Sequence, residues 1–421
     1  MRKFSALYGA AHFGKSLIWH TSGMLFAFFL TEICAIPPTS MGWILACDML
    51  FSAAADAGFG RLLRGHVGSL AKAGRLQLPG VVVSGVLLLA FTATPLLPES
   101  VRIAYALVLC VSFRLAYSFQ DIPENSMLYL VEGDTRRRLE LSSLRFVASG
   151  LAAVAVGAAA SLLIGGGPDQ RASRFLAFAG TIVPLWILVS YGLYLGSRSG
   201  NSARRSDQTG SDPRRGRDFS MRPTTLIGLV MLVAGSGTVF GNLLPYFAAQ
   251  ALNGGFSRLA SLALIGLGNV ACQPLWGWIG RRSGTVGVCR AAAAVTASGA
   301  ALFFLGASRH AAIAAASGLL IEAGLNGLSM LIWASFADHV ARSPLGFSIR
   351  SATLAMGVFT ASIKIAGAVS ILMVGQLLSR IDYHDIVVAT SWHLLGPMTI
   401  VPFLAGGLCF LVTWREGSAA S

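Results

Sequence analysis

Charge is scarce in this chain: 12% of its 421 residues are Asp, Glu, Lys or Arg, about half the share of an ordinary soluble domain. A water-soluble protein with so few charges could not cover its surface with polar groups. Acidic residues are scarcer still, 18 against 32 basic, for a net charge of +14. A basic nucleic-acid binder is one reading of that balance. The basic residues, however, sit in short clusters between apolar runs, which fits membrane orientation better, so no nucleic-acid partner is expected. The six cysteines, Cys34, Cys47, Cys110, Cys272, Cys289 and Cys409, form no CxxC pair and no zinc-like cluster, so neither a disulfide framework nor a metal site is expected. A P-loop, HExxH, and GxSxG with triad partners are all missing, which speaks against an enzyme or an ATP-driven pump and against a bound cofactor. Arg2 and Lys3 are not followed by a short apolar core with a small-residue cleavage site, so no cleaved signal peptide is expected.

What remains is apolar: 54% of residues are hydrophobic and the mean hydropathy is +0.67. Apolar runs fall at roughly 5–34, 39–60, 77–97, 101–130, 142–165 and 174–196, then at 223–251, 258–280, 288–307, 311–337, 350–378 and 393–414. Each is long enough to cross a bilayer. In lipid the backbone must satisfy itself, so the runs predict helices. The fold expected is an all-α membrane protein of twelve spans in two six-helix halves, residues 1–196 and 223–421. A Ser-, Gly- and Arg-rich linker at 197–222 would join them.

Placing both termini in the cytoplasm puts 22 Lys and Arg inside and 6 outside, with Lys15, Arg114, Arg145 and Lys364 inside spans. That asymmetry predicts a multi-pass protein of the cell (inner) membrane with cytoplasmic ends. A faint repeat supports the division: AADAGFGRLLRGHVG at 54–68 matches CQPLWGWIGRRSG at 272–284, setting Asp56 opposite Gln273. Paired halves of this kind rock about a central site in secondary transporters.

Charges within a bilayer are expensive and usually face a cavity, so they are the candidate site. Asp121, with Pro123 just beyond it and Asn125 one turn on, could bind a cation or a substrate hydroxyl. The alternative is a structural partner for Lys364 or Arg145. Asp56 could hold a cation or proton, or close a salt bridge with Arg61. Ser52 and Asp48 lie one and two turns before Asp56 on the same face. Lys364 is too deep to reach the interface and requires a carboxylate, with Asp121 or Asp56 as candidates. Lys15 and Arg145 could sit at an interface. Arg114 and Glu124 could pair locally, and Glu32 and Glu322 are further charges in or near spans. Trp19 could line a cavity or pack, and His20 reads as a satisfied core histidine.

The strings YGAAHFGKS, ADAGFG, YSFQDIPENS, LRFVASG, FADHVAR and ASIKIAG, in this order, resemble melibiose permease and its relatives. These are the glycoside–pentoside–hexuronide:cation symporters of the major facilitator superfamily. The resemblance implies cation-site roles for Asp56 and Asp121, with Ser118 as a neighbouring hydroxyl. It implies a sugar pocket with Lys15, Tyr117 and Arg145, and Lys364 near both sites. Departures are informative. Ser52 stands where a second carboxylate is expected, Ala55 where Asn is, Ser16 where a sugar-binding Asp is, and Asn125 where Trp is. With fewer hard oxygen ligands a sodium site weakens, which points to proton coupling or loose coupling and to a changed substrate. The expected function is cation-coupled (proton or sodium) symport of a small solute, a sugar or glycoside, by a monomer. The coupling set would be Asp56, Asp121, Ser52, Ser118 and Lys364. The substrate set would be Lys15, Trp19, Tyr117, Asp121, Asn125, Arg145 and Lys364. The rivals are transport of a lysolipid, drug-like metabolite or other amphiphile, and a non-transporting sensor on the same fold.

Overall fold

The computed structural model describes residues 2–63, 67, 69–130, 135–198, 222–252, 255–342 and 349–419. Among these the chain is helical throughout. The first half comprises α1 (Arg2–Glu32), α2 (Pro38–Leu62), α3 (Leu70–Thr92), α4 (Glu99–Leu130), α5 (Thr135–Ile164) and α6 (Pro168–Arg198). The second comprises α7 (Pro223–Ala251), α8 (Gly255–Gly306), α9 (Ala311–Arg342), α10 (Ile349–Leu378), the short α11 (Ile386–Ala389) and α12 (Trp392–Ala419). The expected linker falls almost wholly outside the described residues.

The apolar runs at 258–280 and 288–307 are separated by less than a loop. They form the two arms of α8, which reverses at Gly284, where φ is 66° and ψ 179°. Only glycine takes that backbone readily, so one residue supplies the turn. Among the described residues ten helical segments are long and apolar enough to span a bilayer, and they exclude α1 and α2. Those two helices are interrupted by His12, Lys15, Trp19 and His20, and by Asp48 and Asp56. Part of the candidate site thus lies on the two helices that fall short of an uninterrupted apolar span, and the rest on α4, α5 and α10.

The halves meet where α2 packs on α10, α5 on the first arm of α8, and α1 on α7. In lipid the packing of helix on helix depends on close approach, which small residues permit. A Cβ at Gly157 of α5 would lie 2.5 Å from the Leu262 carbonyl oxygen of α8, and one at Gly375 of α10 would lie 2.6 Å from that of Pro38 at the start of α2. Both contacts lie toward the side of the molecule away from the chain termini. On that far side Glu32, at the end of α1, accepts from the Tyr383 hydroxyl at 2.9 Å and lies 3.0 Å from His384 Nε2, both beyond α10. Arg171 of α6 approaches Glu32 to 4.0 Å. Burial, and next the Glu32 carboxylate, raise the Tyr383 phenol above its ordinary range, so it stays a donor. Thr31 and Tyr246 join α1 to α7 at 2.7 Å. The halves are thus tied together on the far side.

Candidate functional site

Helical spacing assembles the site. Arg114, Ser118, Asp121 and Asn125 follow one another at intervals of four, three and four residues along α4, so they share one face. Asp48, Ser52 and Asp56 do the same on α2, and His12, Lys15 and Trp19 on α1. Pro123 lies inside α4. Its missing N–H frees the carbonyl of Phe119 and loosens the helix between Ser118 and Asp121. These faces turn toward one another and produce three linked polar groups.

The first group joins α1, α4 and α5. Lys15 is 4% exposed and lies 2.8 Å from Asp121 and 3.0 Å from Glu124. His12 Nδ1 is 2.9 Å from Glu124. Asn125 donates to Asp121 at 2.8 Å and accepts from Arg145 at 2.7 Å and from Lys15 at 3.4 Å. Two carboxylates and two cations therefore close a continuous network. The partner of Asp121 is Lys15, not Lys364. Arg145 reaches Asp121 only through Asn125, and Lys15 lies in the bundle rather than at an interface.

The second group joins the halves. The Lys364 ammonium of α10 pairs with Asp56 of α2, donates to the Ser52 hydroxyl at 2.8 Å and approaches the Ser52 carbonyl to 3.4 Å. Ser52 and Ser118 are 3.4 Å apart. Of the two carboxylates open to Lys364, the structure selects Asp56, and Lys364 rather than Arg61 is its partner. The ammonium stands among the oxygens that the coupling set would offer a cation.

The third group corrects an expectation. Arg114 does not pair with Glu124; its Nε and Nη2 donate to Asp48 Oδ2 at 3.0 and 2.7 Å. Ten residues of α-helix separate Arg114 from Glu124 by about 15 Å, too far for a side-chain pair. Asp48 is directly across the α2–α4 packing. Arg114 also lies over the Trp19 ring at 5.3 Å, and Trp19 stacks on Tyr117 at 5.9 Å.

A central cavity of about 300 Å³ lies between the halves. Trp19, Asp48, Ser52 and Arg114 line it from the first half, and Thr238, Asn242, Glu322 and Lys364 from the second. Of the expected substrate set, Trp19 and Lys364 reach this cavity, with Trp19 46% exposed. Lys15, Asp121, Asn125 and Arg145 are engaged with one another next to it, and Tyr117 is buried against Trp19. His20 lies 3.2 Å from Ser149, in keeping with a satisfied histidine. Thr238 and Asn242 escaped the sequence reading because they are uncharged. Their spacing of four on α7, opposite the aligned face of α2, was the available signal.

A family model described as MFS/sugar transport protein matches residues 7–414. Among curated proteins, YjmB of Bacillus subtilis strain 168, named an uncharacterised symporter, is 24% identical over 34% of this chain and 31% of its own length. YagG of Escherichia coli strain K12, provisionally named a glycoside/cation symporter, is 24% identical over 39% of this chain and 36% of its own. The matched region thus spans about a third of each relative. Among solved structures, a D-xylose–proton symporter superposes with a TM-score of 0.65 at 12% identity, over 97% of both chains. The nucleoside transporter NupG gives 0.63 at 12%, covering 99% of this chain and 98% of its own. XylE of E. coli, in a partially occluded inward-open conformation, gives 0.65 at 14%, covering 98% and 96%. At these identities the likeness establishes the major facilitator fold.

Proposed function

The chain belongs to the MFS/sugar transport protein family, and from that premise we propose that it is a cation-coupled symporter of a small polar solute, a sugar or glycoside, working by alternating access. The observation that carries this reading is the position of Lys364. It is a tethered cation from one half, held by Asp56 and Ser52 of the other. A proton or sodium ion arriving at Asp56 competes with the ammonium for the same oxygens. Release of Lys364 then breaks a tie between α2 and α10, the surfaces that must slide when the halves rock. Ion occupancy and conformation are coupled because one carboxylate serves both.

Asp121 likewise holds an ammonium, that of Lys15, but within the first half, with its side chain 31% exposed. In this reading the solute fills the central cavity against Trp19, and the Lys15–Asp121–Arg145 network beside it senses its hydroxyls. Loss of the hard ligands at positions 52 and 55 favours a proton over sodium. The excess of basic residues on the terminus side orients both ends toward the cytoplasm of the cell membrane. The tie across the far side then closes the extracellular entrance.

Uptake into proteoliposomes tests this. A panel of glycosides, pentosides and hexuronates is presented with a proton gradient, a sodium gradient or neither. Gradient-driven accumulation of one solute, abolished in Asp121→Asn, is expected. Concentration of solute by Asp121→Asn would remove that residue from the coupling set. Leu45, Met49, Ile363 and Ile371 also line the cavity, which favours an amphiphile as the second reading. A lysolipid arm in the same assay distinguishes the two.

A further inference from the structure

Asp48 is used by neither the cation pair nor the Lys15 network. It is 1% exposed, lines the central cavity, and stands across from Arg114. The pairing is lopsided. Nε and Nη2 of Arg114 both donate to Oδ2, while Oδ1 is buried with no hydrogen-bond partner. An Arg–carboxylate pair ordinarily forms a fork on both oxygens, which satisfies both. Here the guanidinium is held instead over the rings of Trp19 and Phe113, at 5.3 and 5.6 Å. That stacking fixes the fork side-on. A carboxylate oxygen left unpaired in a protein interior is strongly unfavourable unless some donor reaches it at another stage of the working cycle.

We propose that Asp48 and Arg114 form a solute-contacting dyad in which Asp48 Oδ1 accepts a hydrogen bond from a hydroxyl of an uncharged glycoside lying on Trp19. This deepens the symporter reading and rests on it. The charge balance of the cavity wall selects the uncharged class. Among the described lining residues, before an ion arrives, Asp48 cancels Arg114 and Asp56 cancels Lys364, so neither cation is left over to neutralise a carboxylate on the solute. The dyad therefore discriminates glycosides from hexuronates, and one hydroxyl from the others. Arg114 acts through Asp48 and Trp19 as a positioning residue.

Calorimetric binding to the full chain in nanodiscs tests the dyad. The probes are methyl glycosides of glucose, galactose and xylose, methyl glucuronide, and the monodeoxy analogues of whichever glycoside binds. In the native protein one deoxy position is expected to weaken binding about 10- to 100-fold, as for a hydrogen bond to a charged group. Methyl glucuronide is expected to bind at least about tenfold more weakly than the matching glucoside. The double variant Asp48→Leu/Arg114→Met exchanges the buried pair for apolar side chains, which folded proteins commonly accept. It should bind parent glycoside and that deoxy analogue within about twofold, while other deoxy penalties stay as they were. Asp48→Asn should show an intermediate loss. If the double variant keeps every hydroxyl penalty, Asp48 only ties α2 to α4 and the dyad is overturned. Equal or tighter binding of glucuronide overturns the uncharged class. Native protein that binds glycosides without discriminating any hydroxyl sinks the dyad alone; folded native protein that binds none of the panel sinks the symporter reading with it.

Discussion

The two halves share a fold and divide the chemistry unequally. The first half carries His12, Lys15, Asp48, Asp56, Arg114, Asp121, Glu124 and Arg145 in its three polar groups. The second offers the cavity Lys364, Glu322 and the uncharged Thr238 and Asn242. Even the faint repeat shows it, since Gln273 stands opposite Asp56. One half forms a charged socket, the other a facing wall whose Lys364 reaches across to Asp56. In the proposed symport reading, coupling between ion and motion runs through Lys364, because it pairs with Asp56 across the two halves.

The largest expected effect would break this comparison on stability. Arg114→Gln leaves Asp48 as an uncompensated buried charge and should cost about 3–5 kcal/mol. Asn242→Ala on the facing wall should cost no more than about 1.5 kcal/mol. Thermal unfolding in detergent reads both, and equal losses would mean that the socket is not where the fold is most committed. Next is function. Lys364→Gln should lower the gradient-driven accumulation ratio about 5- to 150-fold, the range of an ordinary coupling free energy, while gradient-free exchange persists. Undiminished accumulation would detach the wall from the coupling.

Two smaller tests sharpen how the halves close, read by maleimide labelling of Thr31→Cys in a background without the six native cysteines. Thr31 is buried in this conformation. Gly157→Ala forces a Cβ to within 2.5 Å of the Leu262 carbonyl oxygen. At an overpacking cost of about 1–3 kcal/mol, it should open the far side and raise labelling about 5- to 100-fold. Gly58→Ala meets nothing within 4 Å and should change nothing. Glu32→Gln should raise labelling by about fivefold at most, because its partner His384 is 59% exposed and such pairs are weak.

Much of the architecture was legible beforehand. Apolar run length gave the spans, since lipid leaves the backbone no partner but itself. The two spans expected at 258–280 and 288–307 are there, joined more tightly than expected, with the break in the helix at Gly284. The site was legible as a set of residues: intramembrane charge is costly enough that Lys15, Asp56, Asp121 and Lys364 identified themselves. Their pairing was not. Lys364 could as well have met Asp121, and Arg114 looked closer to Glu124 than to Asp48.

Helical period and hydropathy are properties of neighbours along the chain, so the sequence by itself determined where the long helices run, the polar face of those that carry charge and the likeness to sugar transporters. Which polar face meets which depends on the crossing of α1, α2, α4, α5 and α10, contacts between residues up to 312 positions apart. Coulomb attraction and hydrogen bonding act over a few ångströms and are blind to that separation. Only the tertiary structure could therefore decide that Asp121 belongs to Lys15, Asp56 to Lys364 and Asp48 to Arg114, and that a cavity lies between them.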